Sequence, residues 1–182
     1  MVVTTPRDFE PFLGAIRIAS RDVGRLELIV RRPAVDEREV VVEGILDTEA
    51  GLLGDGWLER GSRRTPDGRA NPESQLTLIS TRVLEAIEPD ETRWPLAGDQ
   101  LYVDLDLSLD ALPPGRRLRI GSATIEVSRH PHTGCAKFSA RFGSDALRWI
   151  NSPVGRELRM RGMNTRVIRG GTIRTGDAVQ RA

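Results

Sequence analysis

Apolar residues recur at every second position through most of this chain, the period of a half-buried β-strand. In GAIRIAS (14–20), Ile16 and Ile18 alternate with polar neighbours, and RLELIV follows a turn signal at 22–24. EVVVEGILD (39–47) is rich in the β-branched residues that strands favour. SQLTLIS (74–80) and LYVDLDLSL (101–109) repeat the alternation, as do RRLRIG and ATIEVSR. Only Gly121 and Ser122 separate the last two, the spacing of a tight hairpin. The tail TRVIRGGTIRTGDAV reads as two short strands broken at Gly170 and Gly171. Helical signals are fewer. STRVLEAIE starts at a capping hydroxyl and stops before Pro89, SDALRWIN places Ala146, Leu147 and Ile150 on one face, and SPVGRELR has Ser152 ahead of Pro153. Many short strands and few helices predict a mostly β protein whose strands close into a barrel.

A glycine-, proline- and charge-rich stretch at 54–74 interrupts this pattern. A loop that long inside a compact domain is expected to serve a site. The chain has 182 residues, enough for one domain with a sizeable core. No 18-residue apolar run is present, so no membrane contact is expected. The opening residues lack the basic-then-apolar order of a secretory signal, and a single cysteine builds no intrachain disulfide. Both observations place the expectation in the cytoplasm. The net charge of +1 conceals an asymmetry: residues 129–182 carry eleven basic and three acidic side chains, residues 1–128 sixteen and twenty-three. That split suits a C-terminal third facing an anionic ligand, or two parts that neutralise each other on one surface.

The chemistry concentrates in RHPHTGCAKF (129–138), which holds the only cysteine, Cys135, the only lysine, Lys137, and both histidines, His130 and His132. Cations stabilise a thiolate, and Arg129, Lys137 and Arg141 flank Cys135 with no acid within six residues on either side. Gly134 allows a close backbone approach or a positive φ. A lone cysteine is most often a small buried hydrophobe, but a lysine and two histidines suit a core strand badly. Three chemistries compete. A hydrolase would use His130 or His132 as base for Cys135, with no acidic orienter in the segment. A zinc site would use both histidines and the cysteine in an H-x-H-x-x-C spacing without a fourth ligand. A carrier or metal-ligating thiolate needs only an accessible, cation-flanked cysteine. Elsewhere, Arg63 and Arg64 could clamp a phosphate, and Arg129 is a third candidate for cofactor binding. Asp55, Asp99 and Asp177 each follow a glycine and read as turn residues. Phe138, Phe142 and Trp149 fit the inward face of a helix at least as well as a nucleic-acid stacking surface, so nucleic acid is not the expected partner.

PHTGCAKFSARFG, ALRWINSPVGRELRMRG and GGTIRTGDAV resemble the stand-alone bacterial MOSC-domain proteins, relatives of the C-terminal domain of molybdenum cofactor sulfurase. GLLGD at 51–55, SQLTLIS and LAGDQLYVDLDLSLDALPPGRRLRIGSATIEV match the same family in order, so the resemblance runs over about 12–179. It implies a single MOSC-type β-barrel domain with a few short helices. It further implies that Cys135 carries sulfur as a persulfide or contacts molybdenum or a molybdenum cofactor, in sulfur transfer or a cofactor-linked activity. Pyridoxal phosphate would enter only through a separate cysteine desulfurase acting as sulfur donor, with a metal-sulfur cofactor as acceptor. One stretch departs from the family pattern: GDQLYVDLDL stands where many members have a Gly-Glu-Asn-Leu-like run. The alternative is a non-catalytic module that binds a small anion and keeps Cys135 as a structural residue.

Overall fold

The computed structural model describes residues 7–63 and 65–182. Eleven strands form two sheets: β1 (Val23–Arg31), β2 (Glu39–Val41), β3 (Glu43–Asp47), β4 (Gly51–Leu52), β5 (Leu76–Ser80), β6 (Leu101–Asp104), β7 (Arg117–Ile120), β8 (Ala123–Val127), β9 (Met163–Arg169), β10 (Gly171–Arg174) and β11 (Ala178–Arg181). Six short helices accompany them: α1 (Leu13–Arg17), α2 (Trp57–Arg60), α3 (Thr81–Ile87), α4 (Ala136–Phe142), α5 (Ser144–Ile150) and α6 (Pro153–Glu157). The larger sheet runs β11-β7-β8-β9-β5-β6-β1-β2, and a further β11–β1 pairing closes seven of its strands into a barrel. Closure is possible because β1 pairs with β6 along one edge and is shared on the other, by β11 at 23–25 and by β2 at 29–31. All barrel pairings are antiparallel except β5–β6, which α3 connects as a parallel crossover. β10, β3 and β4 make a small second sheet.

Two apolar clusters sandwich the barrel wall. The inner one holds Leu26, Ile29, Leu76, Leu78, Leu101 and Val103 among others. The outer one joins Val30, Ile79 and Tyr102 to α3, α4 and α5. A bulge in β1 between Leu26 and Leu28 lets one strand serve both. The extra residue reverses the parity of the side chains, so Leu26 and Ile29 point inward while Leu28 and Val30 face the helices. β5 is buried at all five positions for the same reason, with barrel on one face and helices on the other. The Gly121–Ser122 hairpin forms as expected, pairing Ile120 with Ala123 around a Gly121 at φ +54.

Three expectations are corrected. GAIRIAS is not a strand: Leu13–Arg17 is helical, with Ile16 buried and Ile18 77% exposed, so the alternation there was incidental. LYVDLDLSL is a strand only over Leu101–Asp104. Leu105 and Leu107 continue in irregular chain that plugs the barrel core together with Ala111 and Leu112. A helix begins directly after Cys135 as well as at Ser144, because α4 buries Phe138 and packs Phe142 against it with ring centroids 4.8 Å apart.

Candidate functional site

Residues 128–135 leave β8 and cross to α4 without regular structure, and side chains from two other elements hold the crossing. Asn164 of β9 donates from Nδ2 to the His130 carbonyl at 3.1 Å. Asn151 accepts from the Gly134 amide at 3.1 Å and returns a weak contact to its carbonyl at 3.4 Å. Gly134 is needed for packing: a Cβ there would come within 2.7 Å of Leu147 and 2.8 Å of Ile150. The close approach is to α5, and Gly134 does not have a positive φ.

Cys135 is exposed and extended (φ −126, ψ 177) at the start of α4. Its sulfur makes no capping hydrogen bond. Partial burial pushes the thiol pKa up, but the amides of Phe138 and Lys137 and the charges of Arg161 and Arg141 outweigh it, leaving the pKa below its ordinary value. Lys137 thus acts through its backbone. Its ammonium is two-thirds exposed and lies 3.7 Å from Asp36.

Two adjoining cavities share Cys135, His132, Arg32 and Arg60. The first, about 300 Å³, adds Arg38, Lys137, Arg141 and Arg161, with Asp36 as its one acidic lining residue. The second, about 420 Å³, is bordered by the 54–74 loop through Trp57, Ser62, Arg63, Asn71 and Ser74, and by His130. Arg64 lies outside the described residues. The loop is not wholly irregular, since α2 buries Trp57 and Asn71 caps a short 3₁₀ turn at Pro72–Ser74.

The floor is the turn at 97–99, held by two arginines. Arg32 donates to the Gly98 carbonyl at 2.8 Å and forks onto Asp55 at 2.8 and 2.9 Å. Arg161 donates to the Ala97 carbonyl at 3.0 Å and to Asp99 at 2.7 Å, with Phe138 under its guanidinium at 5.1 Å. Asp99 is fully buried and its second oxygen lies 3.5 Å from His132 Nδ1, too far for a normal hydrogen bond. His132 is therefore a largely but not fully buried imidazole between an acid and several cations. Burial first, then Arg161, lower its pKa to about 3 against the pull of Asp99. Arg141 reaches Asp36 at 2.8 Å and the Leu96 carbonyl at 2.8 Å. Arg38 and Arg60 have no carboxylate partner among the described residues; burial and then neighbouring arginines hold both below their ordinary pKa.

The structure thus gathers Cys135, His130, His132, Lys137, Arg141 and Arg63 around one cleft. Arg129 lines neither thiol cavity but a third one nearby. Sequence reasoning missed Arg32, Arg38, Arg60 and Arg161, which come from three separate places in the chain. It also took Asp55 and Asp99 for turn residues, although both are buried partners of arginines; Asp177, accepting from the Arg174 amide at 2.7 Å, is one. Among the described residues no three His, Cys, Asp or Glu side chains come together to hold an ion, so the zinc arrangement is not formed.

A family model for the MOSC domain matches residues 66–180. The chain belongs to the MOSC domain family. The YuaD protein from Bacillus subtilis superposes with a TM-score of 0.65 at 17% identity, over 86% of this chain and 94% of that one. YiiM from Geobacillus stearothermophilus gives 0.58 at 15% identity over 87% and 75% of the two chains, and YiiM from Escherichia coli 0.57 at 22% over 87% and 69%. At these identities the likeness concerns the fold. None of the curated proteins compared with the chain matches it. No helix among the described residues of this MOSC protein is long and apolar enough to cross a membrane.

Proposed function

We propose that this MOSC protein binds an anionic organic metal cofactor, the molybdenum cofactor being the expected one, and offers Cys135 as a thiolate ligand to its metal. The observation that carries this reading is the crowding of Arg38 and Arg60, without carboxylate partners among the described residues, beside an exposed thiol of lowered pKa. An anionic group placed against those guanidiniums would offset the repulsion that each has from Arg32, and accept charge-assisted hydrogen bonds. The donor set fits a metal that brings its own organic ligand and needs one soft protein donor. It does not fit a bare ion, since no cage of protein ligands exists among the described residues. When bound, the metal supplies redox or Lewis-acid chemistry. The chain's own part is to fix the anionic end through arginines, to favour the thiolate form of Cys135, and to keep neutral His132 in the same cleft.

Neutral His132 also argues against the thiol-hydrolase alternative. A general base must become imidazolium, and here that cation would form beside Arg161 and Arg32 in a desolvated position. Exposure of Cys135 favours a second reading, that it accepts sulfane sulfur. In that step the thiolate attacks the outer sulfur of a desulfurase persulfide, a new S–S bond forms, and the donor cysteine leaves as thiolate. Pyridoxal phosphate would then belong to the donor.

Metal and phosphate analysis of protein purified from molybdenum-replete cells tests the proposal. Stoichiometric molybdenum and phosphate are expected, with Cys135→Ser losing the metal and Arg38→Met/Arg60→Met losing both. Protein about 32 Da heavier at Cys135 and free of metal would overturn it in favour of the carrier. Phosphate retained by the arginine double variant would refute the anion site.

A further inference from the structure

The residue that sequence reasoning placed with the thiol, Arg129, lines a separate cavity of about 440 Å³ that Cys135 does not reach. The two sites share a wall, the 130–133 segment with Arg161 and Asn164, but differ in composition. Leu109, Pro114, Ile150 and Met163 supply apolar surface in this cavity, and no Asp or Glu lines it. Arg129 and Arg156 are exposed, and neither side chain has a hydrogen bond or ion pair among the described residues. Ser128, also lining it, is 8% exposed, and its hydroxyl is buried without a hydrogen-bond partner. A buried hydroxyl left unpaired is unfavourable, and Ser128 stands in the wall of this cavity. Arg159 completes the basic side, its guanidinium committed to the carbonyls of Leu107 and Leu112 and its backbone left-handed at φ 46.

We infer that this cavity is a second ligand site, for a small organic acid: an oxyanion held by Arg129 and Arg156, with the Ser128 hydroxyl as a further donor, and an apolar body laid on Leu109, Ile150 and Met163. The volume is in the range of small-molecule pockets, about 300–1,000 Å³. Nucleotides fit poorly. No Phe, Tyr or Trp lines the cavity for a base to stack on, and the two amides, Asn151 and Asn164, already hold the Gly134 and His130 backbone. This inference is independent of what Cys135 does.

Calorimetric titration of the intact protein with 1-naphthoate, 1-naphthamide and inorganic phosphate tests it. Naphthoate should bind one to one, and the isosteric neutral amide about ten-fold or more weakly, because it cannot take the charge-assisted bonds. Phosphate should not compete effectively, lacking the apolar body. Arg129→Gln/Arg156→Gln should weaken naphthoate about ten-fold without moving the thermal midpoint, since both side chains are exposed. Ser128→Ala should weaken it less, and Cys135→Ser not at all. Equal affinity for acid and amide, no binding of either, an unchanged arginine variant, or loss of binding in Cys135→Ser would each overturn the inference.

Discussion

His132 makes the acid side of this protein's stability curve predictable. Its ring is 18% exposed, it sits near Arg161, and burial is the main reason its pKa falls from 6.5 to about 3. In the unfolded chain the imidazole takes up a proton near pH 6.5, while in the folded protein it stays neutral down to about pH 3. A folded pKa that is depressed gives stability present above the unfolded value and lost as pH falls toward the folded one. Each pH unit in that window carries about 1.4 kcal/mol. Between pH 6.5 and 5 the loss integrates to about 2 kcal/mol, before most carboxylates begin to titrate. Urea unfolding at half-unit pH steps, read as the midpoint at constant slope, measures it. His132→Gln, which cannot titrate, should flatten the curve in this window. An equally steep curve in the variant, or an imidazolium signal for His132 by NMR in folded protein at pH 6, would refute the reasoning. The second result would show that Asp99 at 3.5 Å outweighs burial and Arg161, and would restore His132 as a base.

Iodoacetamide alkylation of Cys135 against pH should give an apparent pKa lower than that of a free cysteine; Arg141→Met should raise it, and Lys137→Met should move it less, because the Lys137 amide and not its exposed ammonium is among the main influences on the sulfur. Asp99→Asn should lower stability by about 3–5 kcal/mol in chemical denaturation, since it leaves Arg161 charged and buried without its carboxylate. Gly162→Ala should cost at least about 2 kcal/mol by the same assay, because Gly162 has φ +93 and a Cβ there would lie 2.1 Å from the Leu78 carbonyl oxygen.

The barrel was legible because its strands are short, alternating and bounded by glycine, as in the Gly121 hairpin. Periodicity failed where a second layer intervenes. β5 reads as alternating yet is buried on both faces, and the parity change in β1 at its bulge leaves no mark in the residue pattern. Leu105 and Leu107 look like strand because a core-plugging loop can bury every second residue too. The thiol segment was equally legible, since one ten-residue stretch contains every residue of three reactive types. Its surroundings were not. Arg32, Arg38, Arg60 and Arg161 converge through tertiary packing alone, and twenty-six arginines give no local sign of which ones do. Asp99 carried a weak signal: a Gly-Asp pair suits a turn, and Gly98 is indeed left-handed, but the same turn aims the carboxylate into the interior.

The burial of Asp99 and Asp55 decides how this cleft treats an anion. Arg161 and Arg32 are each neutralised by a buried carboxylate, which removes most of their pull on a guest but fixes their guanidiniums in place. Arg141 is partly offset by Asp36, itself 64% exposed and therefore weakly held. Arg38 and Arg60 have no ion-pair partner among the described residues, and Arg38 donates to the Pro95 and Glu37 carbonyls. The cleft thus divides into a rigid, nearly neutral floor under Cys135 and a positively charged wall beside it. On the floor, sulfur meets a stable dipolar setting that can hold the thiolate without binding an anion tightly. At the wall, a phosphate or carboxylate gains two arginines that lack carboxylate partners among the described residues. A ligand that satisfies both must place a soft, electron-accepting centre at the thiol and its negative charge several bonds away. Simple oxyanions meet only the second condition and bare soft metal ions only the first, whereas the proposed cofactor would meet both.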